Sequence, residues 1–226
     1  MPNNPSPDLA SFSPTGRGRI LVIDTATAVC SIALIEAGTV VAHAHEEVSR
    51  GHAERLVPMI ATLPDGGRAG HILVDVGPGS FTGIRVGIAA ARGLALGWGA
   101  TVSGYSSLAL IAAGVFSDPR APLTPLLAVA IEGGHGEVFM QGFAAPPLTE
   151  TDALRSLKPA DALARLGGRR VVGSGVRRLA DLPPGQDGGV RLPDARHAPL
   201  LPAAFATLPP RPLYGRAPDA KLPAPR

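Results

Sequence analysis

Short apolar runs separated by polar turns fill the chain from residue 19 onward. Short runs rich in β-branched side chains predict strands, and longer segments with apolar side chains at helical spacing predict helices. In the first half these patterns predict strands at 20–23, 30–35, 40–48, 72–76 and 100–103, and helices at 53–63, 83–98 and 106–115. The predicted order is therefore β-β-β-α-β-α-β-α.

A second unit follows a proline-rich stretch at 118–125, which we interpret as the link between two domains. Its patterns predict strands at 126–131, 137–143 and 171–173, and helices at 159–166 and 176–182. The patterns weaken from residue 183 onward, so the second unit resembles a reduced copy of the first. We assign 19–117 to the first domain and 126–216 to the second, with a leader at 1–18 that we expect to be disordered and a tail at 217–226.

The sequence Gly-Pro-Gly-Ser-Phe-Thr-Gly at 77–83 lies between a predicted strand and a predicted helix. Glycine permits tight turns, and the free N–H groups at a helix start attract anions, so this turn is a candidate phosphate site. The candidate residues are Gly77, Gly79, Ser80 and Thr82, together with Asp24 at the end of the first strand. The spacing matches neither a Walker A nor a Rossmann loop. A purely structural turn is the alternative, and Asp24 could equally cap its own turn.

The helix predicted after this turn has two contrasting faces. One stripe, with few side-chain atoms, contains Gly83, Gly87, Ala90, Leu94 and Gly97, and the other contains Arg85, Ala89, Arg92 and Leu96. Each internal glycine costs about 1 kcal/mol relative to alanine in a helix. A helix that carries this cost is expected to pack closely, either on its own sheet or on a partner helix.

Composition and charge change this picture only in part. The chain has 226 residues and a net charge of +3, but residues 1–150 carry −4 and residues 151–226 carry +7. The basic part could contact an RNA backbone, or it could be a solvated surface. Cys30 is the single cysteine, so no disulfide forms within the chain, and we expect a buried core residue. No segment is suited to a signal peptide or a membrane span, so we expect a cytoplasmic protein.

Familiar catalytic patterns do not occur in the sequence. It contains neither H-E-x-x-H nor G-x-S-x-G, and His43 with His45 offers only two zinc ligands. From the residues alone, we therefore assign no catalytic residue and no metal ligand.

Four segments of the chain resemble the TsaB (YeaZ) family: Ile20–Leu34, Arg50–Ile60, Gly77–Gly87 and Pro212–Lys221. This family is needed to make N6-threonylcarbamoyladenosine at position 37 of tRNAs that read ANN codons. The resemblance implies an α/β fold of the actin/hexokinase/Hsp70 (ASKHA) type. It also implies two tandem domains of the β-β-β-α-β-α-β-α type, the second one reduced.

TsaB proteins are similar to TsaD, the catalytic subunit, and pair with it. TsaD-like sequences carry a metal-binding His-x-x-x-His on the helix after the fifth strand, whereas the corresponding segment here, Ser107–Ile111, lacks both histidines. Hydroxyl and aliphatic side chains do not bind iron or zinc in that geometry. The resemblance therefore implies a partner subunit that is not catalytic by itself. It would have no cofactor of its own, with the metal in TsaD and ATP or ADP possible only in the complex.

The resemblance also implies how the chain meets its partners. TsaB proteins associate with TsaD, and with themselves, through the two helices of the first domain. The expected partner-binding residues are Leu56, Ile60, Gly83, Arg85, Gly87, Ala90, Arg92 and Leu94. Further expected partners are TsaE in the larger complex and tRNA through the complex, with a homodimer possible in isolation. The alternatives are a stand-alone enzyme of the same fold, either a small-molecule kinase or a metallopeptidase, and a basic RNA-binding module.

Overall fold

The computed structural model describes residues 18–48, 51–121 and 124–215. Its first half contains a five-stranded sheet with the strand order β3-β2-β1-β4-β5. The strands are β1 Arg19–Asp24, β2 Val29–Glu36, β3 Thr39–Glu47, β4 His71–Asp75 and β5 Thr101–Tyr105. The first three strands pair antiparallel, whereas β4 pairs parallel with both β1 and β5. The predicted antiparallel meander is therefore followed by two parallel strands, β4 and β5, and each of them follows a helix in the chain.

The central strands of this sheet are buried on both faces. β4 is buried throughout, and β1 and β2 are each buried except at one end residue. Strands buried on both sides have nearly continuous apolar sequences, which explains why the patterns predicted them. Cys30 lies in this core, as predicted, and burial raises the pKa of its thiol to about 11.

Three helices cover the first sheet: α1 His52–Ala61, α2 Phe81–Trp98 and α3 Ser107–Ser117. Apolar residues of α1 and α2 share one core with one face of the sheet, and α3 packs in the core between the two halves. α1 continues through Pro58. The Ser80 hydroxyl caps α2 by accepting from the Gly83 N–H, so α2 begins at residue 81, two residues before the predicted start.

The second half contains a smaller sheet with the strand order β10-β6-β7-β8, and β9 also pairs with β7. Its elements are β6 Leu126–Glu132, β7 Val138–Ala144, β8 Thr149–Glu150, β9 Arg155–Leu157, α4 Pro159–Arg165 and β10 Arg170–Val172. β8 and β9 go beyond the predicted elements because two or three residues carry no readable periodicity.

The helix predicted at 176–182 is wrong. The structure has a 3₁₀ turn at Ser174–Arg178 instead, and Asp181 lies in the left-handed region with a φ of 64°. Pro183 and Pro184 follow directly, and proline has no N–H to continue a helix. The apolar residues of this segment therefore reach the core from a single tight turn.

The weakly patterned residues after 190 return to the first half. The 3₁₀ turn Ala195–Leu200 packs on α3 and β2, and the Ala195 N–H donates to the Ser31 hydroxyl at 3.0 Å. Residues 206–215, which we name the C-terminal strap, then cross the first half. Leu208 pairs with Gly104 at the edge of β5, and the Leu213 N–H donates to the Val76 carbonyl at 2.7 Å. The predicted tail at 217–226 and the predicted leader, apart from Gly18, lie outside the described residues.

Candidate functional site

Three N–H groups at the glycine-rich turn and the start of α2 donate to oxygen atoms of the chain itself. The Ser80 N–H donates to the Ala26 carbonyl at 2.6 Å, and the Gly83 N–H donates to the Ser80 hydroxyl at 3.2 Å. The Ile84 N–H donates to the Ser80 carbonyl at 3.0 Å. An anion site at a helix start needs N–H groups that are free to donate to the ligand. These three donors are already bonded within the chain.

Close packing on the loop after β1 requires glycine at three positions, Gly79 in the turn and Gly83 and Gly87 in α2. A Cβ atom added to Gly79 would lie 2.0 Å from the Ala26 carbonyl oxygen, and one added to Gly83 would lie 2.0 Å from the Thr25 carbonyl oxygen. At Gly87 it would lie 2.5 Å from the Thr25 hydroxyl oxygen. The Thr25 hydroxyl in turn donates to the Gly83 carbonyl at 2.7 Å. The close approach predicted for this stripe is therefore made within the chain.

Two buried carboxyl groups lie under the turn, at the ends of β1 and β4. Asp75 accepts from the Gly77 N–H at 2.7 Å and from the Ser107 hydroxyl at 2.6 Å, and Asp24 accepts from the Tyr105 hydroxyl at 2.8 Å. Parallel pairing of β1 with β4 brings both strand ends to the same edge of the sheet.

Burial is the main cause of the raised pKa values of both carboxyl groups. It raises the pKa of Asp24 well above 3.8, and the negative charge of Asp75 and a hydrogen bond between the two side chains raise it further. Burial also raises the pKa of Asp75 to about 6. No described donor reaches the Asp24 Oδ1 atom, which fits a protonated carboxyl group that itself donates to Asp75. Asp24 therefore belongs to a closed internal network, with no solvent-accessible surface at which to meet a ligand.

A cavity of about 760 Å³ lies between the two halves, in front of the glycine-rich turn. Its wall includes the aromatic rings of Phe81, Phe139 and Tyr214. The Arg85 guanidinium lies 3.1 Å from the centroid of the Phe81 ring and donates to the Tyr214 hydroxyl at 2.8 Å. The positive charge of Arg85 is thus already held by an aromatic face and a hydroxyl group.

A nucleoside triphosphate in this cavity would need positive charge and free hydrogen-bond donors for its phosphate groups. Besides Arg85, Arg177 is the other lining residue with a permanent positive charge, and Glu47 and Glu132 oppose them. Of the five phosphate-loop candidates, Gly79 and Ser80 line the cavity, whereas Asp24, Gly77 and the exposed Thr82 do not. The residues present do not fit a nucleoside triphosphate.

The predicted partner-binding residues divide into buried and exposed sets. Leu56, Ile60, Gly83 and Gly87 are buried in the first half, and Ala90 and Leu94 are partly buried against the same core. Arg85 and Arg92 are exposed. Helical spacing identifies two stripes on α2, but it does not tell which one faces the sheet.

The exposed sides of α1 and α2 carry apolar residues. The Leu96 side chain on α2 is 89% exposed and Val57 on α1 is 56% exposed. Ala89 and Gly93 are also exposed on α2. We name this surface, formed by Val57, Ala89, Gly93 and Leu96, the α1/α2 face. A large exposed apolar residue next to small ones permits another helix to approach closely.

Among the described residues, no three His, Cys, Asp or Glu side chains come together in a way that could hold a metal ion. In the segment Ser107–Ile111, Ser107 donates to Asp75, and Leu108, Leu110 and Ile111 are buried between the halves. No described helix is both long and apolar enough to cross a membrane.

The family model for TsaD, tRNA N6-adenosine threonylcarbamoyltransferase, matches residues 43–155. The "tRNA threonylcarbamoyladenosine biosynthesis protein TsaB" of Escherichia coli (strain K12) is 39% identical over 207 residues, which cover 84% of each chain. A tRNA N6-adenosine threonylcarbamoyltransferase from Anaeromyxobacter dehalogenans is 31% identical over 101 residues, covering 42% of this chain and 30% of that protein.

Among solved structures, the chain is similar to YeaZ from Pseudomonas aeruginosa. The TM-score is 0.68 at 25% identity, and the match covers 87% of this chain and 99% of that one. The expected actin/hexokinase/Hsp70-like fold is therefore confirmed.

Proposed function

The chain belongs to the TsaB family of tRNA threonylcarbamoyladenosine biosynthesis proteins, and on this basis we propose that it is the non-catalytic partner subunit of TsaD. In this role it binds TsaD as a heterodimer and stabilises the active form of that subunit. TsaD then transfers the threonylcarbamoyl group to N6 of adenosine 37 in tRNAs that read ANN codons. The proposal places both proteins in the cytoplasm, with TsaE joining the larger complex.

The observation that carries this proposal is the α1/α2 face. Leu96 is almost fully exposed in the isolated chain, although leucine is usually buried in folded proteins. Small residues beside it allow two helix backbones to come close, which suits a helical surface of similar shape. The partial identity to TsaD-type proteins supports such a surface on the partner. In the absence of TsaD, a second copy of this chain would cover the same face.

Two further observations support a subunit that is not catalytic alone. The segment Ser107–Ile111 carries no histidine, and its side chains serve the internal carboxyl network and the core. The cavity between the halves does not fit a triphosphate, which weighs against a small-molecule kinase. A stand-alone metallopeptidase would need metal ligands at positions that are apolar or hydroxylic here.

Co-purification with TsaD tests the proposed surface. Leu96→Asp places a charge on the most exposed apolar residue of the α1/α2 face, so we expect it to abolish the heterodimer while the lone chain remains folded. Gly87 is not suited to this test, because a larger side chain there meets Thr25 inside the domain. Val41→Asp is the matched control, since Val41 is 46% exposed on β3, outside the face. Equal binding by both variants would remove the α1/α2 face from the proposal.

Reconstitution of the modification tests the role itself. TsaD, TsaE, tRNA and threonylcarbamoyl-adenylate are combined with and without this chain, and the modified nucleoside is quantified. We expect activity to require the chain, and we expect the chain alone to transfer nothing. Transfer or nucleotide turnover by the purified chain alone would favour the stand-alone enzyme instead.

A further inference from the structure

A second pocket, of about 510 Å³, lies where the end of α3 and the start of the second half meet β10. It shares no lining residue with the cavity between the halves. Arg120 reaches it from the segment after α3, Arg170 from the first residue of β10 and Arg191 from the segment before the strap. Three arginines from distant parts of the sequence therefore line one opening.

The charge balance of this pocket is positive. Asp118 is the single carboxylate among the described lining residues. It accepts from the Arg120 guanidinium at 3.1 Å and from the Arg120 backbone N–H at 2.9 Å. These bonds lower the pKa of Asp118, and the charge of Arg191 lowers it further, so the carboxylate is ionised at neutral pH. The three arginines of the lining are therefore balanced by one carboxylate, and the net positive charge of the pocket favours an anionic ligand.

Arg170 lies at the part of this pocket where backbone hydrogen bonds fix the neighbouring loop. The loop beside it is fixed to β10 by two bonds, from the Val171 N–H to the Gln186 carbonyl and from the Gly188 N–H to the Val171 carbonyl, both at 2.8 Å. Gly188 packs so closely that an added Cβ would lie 2.9 Å from the Arg170 Nε atom. Arg170 is half-buried, and the described residues form no ion pair with it. A half-buried arginine has less side-chain freedom to lose than an exposed one when it binds an anion.

We propose that this pocket, which we name the arginine pocket after Arg120, Arg170 and Arg191, binds a phosphate group of an RNA backbone. A phosphodiester offers two charged oxygens, and guanidinium groups bind such oxygens through paired N–H donors. The pocket includes residues of the basic part of the chain, 151–226, whose net charge of +7 attracts a polyanion. The identification of the RNA as tRNA rests on the proposed function.

Salt-dependent tRNA binding by the full-length chain tests this inference. Arg191→Glu reverses the charge of an exposed residue, and Arg170→Gln neutralises the half-buried one with less risk to the fold. For each lost phosphate contact, we expect affinity to fall about ten-fold at low salt, and the slope of log K against log salt to decrease by about 1. Arg165→Glu is the matched control: it is exposed on α4, lies outside the pocket and makes the same charge change as Arg191→Glu.

Three results would overturn the inference. The first is that the wild-type chain binds no tRNA, and the second is that Arg165→Glu weakens binding as much as Arg191→Glu, which would indicate a diffuse basic surface. The third is that ATP or inorganic phosphate, rather than tRNA, requires the pocket arginines. The same variants are also assayed for heterodimer formation with TsaD. If TsaD binding is kept while tRNA binding is unaffected, the arginine pocket is wrong and the proposed function stands.

Discussion

In each half, a glycine packs closely against a backbone carbonyl oxygen in or just after the first strand. The two halves differ in the element that follows this glycine. A Cβ on Gly79 would lie 2.0 Å from the Ala26 carbonyl oxygen, and a Cβ on Gly173 would lie 2.1 Å from the Ala130 carbonyl oxygen. In the first half the contact leads into the 18-residue α2, whereas in the second it leads into the five-residue 3₁₀ turn Ser174–Arg178. The contact itself therefore does not need a long helix, and α2 supplies the surface that we assign to the partner.

The strand ends beside these contacts also differ in chemistry. The first half places Asp24 and Asp75 there, both fully buried. In the second half β6 ends at Glu132, which is exposed, and β10 ends at Val172, which is buried and apolar. The glycine contact is thus common to both halves, while the titratable network belongs to the half with the long helix. Substitutions at the glycines should affect both halves alike, and changes of pH should act on the first.

Replacing the contact glycines is expected to have the largest effect. Gly83→Ala pushes a methyl group into the Thr25 carbonyl, and Gly173→Ala does the same at Ala130 in addition to a φ of +112° that alanine rarely adopts. Forced contacts of this type cost about 1–3 kcal/mol, occasionally more, because backbone atoms must move. Urea unfolding should show a loss of at least this size for each variant.

Gly93→Ala is the matched control for the glycine contacts. Gly93 lies on the same helix as Gly83, but nothing is within 4 Å of its added Cβ. Removal of a helical glycine there should therefore raise stability by about 0.5–1 kcal/mol. If Gly173→Ala did not lower the free energy of unfolding, the backbone around Ala130 would be able to shift and make room for a methyl group. The contacts in the two halves would then not be equivalent.

The carboxyl pair gives the second prediction, which concerns pH. A carboxyl that stays protonated in the folded protein but ionises in the unfolded chain makes the folded state bind more protons. Stability should therefore fall as pH rises above 3.8, through about pH 6 for Asp75 and beyond it for Asp24. Asp24→Asn keeps an acceptor for Tyr105 and a donor for Asp75 but does not ionise. Its unfolding free energy should hold or rise at pH 7, with a shallower decline between pH 4 and 7.

Asp24→Ala separates titration from hydrogen bonding in the same network. It also removes the ionisable group, but it leaves Asp75 and the Tyr105 hydroxyl without this partner. A buried polar group that loses its partner costs about 1–3 kcal/mol. Asp24→Ala should thus be less stable than Asp24→Asn at every pH, when both are unfolded in urea from pH 4 to 8. If the stability of Asp24→Asn depended more steeply on pH than that of the wild type, Asp24 would not be the protonated group of this pair.

The sequence predicts the strands and helices of the first half better than the tertiary contacts between them. Apolar runs identify the strands, because a strand buried on both faces needs them. The spacing of Gly83 and Gly87 shows that something lies close to α2, but only the fold identifies it as Thr25. Asp24 was a reasonable candidate by position, whereas its partner Asp75 comes from a neighbouring parallel strand. Pairing of strands distant in sequence leaves no local signal.

The C-terminal strap shows why the remaining structure was not predictable. Its contacts with the first sheet include backbone hydrogen bonds, from Leu213 to Val76 and between Leu208 and Gly104. Backbone groups are the same for every residue type, so these contacts impose no apolar period on residues 206–215. The exposed α1/α2 face could not be predicted either, because a helical stripe of small and apolar residues occurs on both buried and exposed surfaces.

The strap also gives the smallest predicted effect, because one of the bonds that join it to the first half is an exposed side-chain bond. The Arg92 guanidinium donates to the Pro210 carbonyl at 2.7 Å. Arg92→Ala removes this bond but leaves the backbone bonds of the strap, so global stability should change by less than about 1 kcal/mol. Local opening should still increase, and amide hydrogen exchange at Leu208 and Leu213 should become faster. Exchange at Ile72 in β4 should not change, since that strand is central and buried. Unchanged exchange at Leu213 would mean that the backbone bonds alone hold the strap.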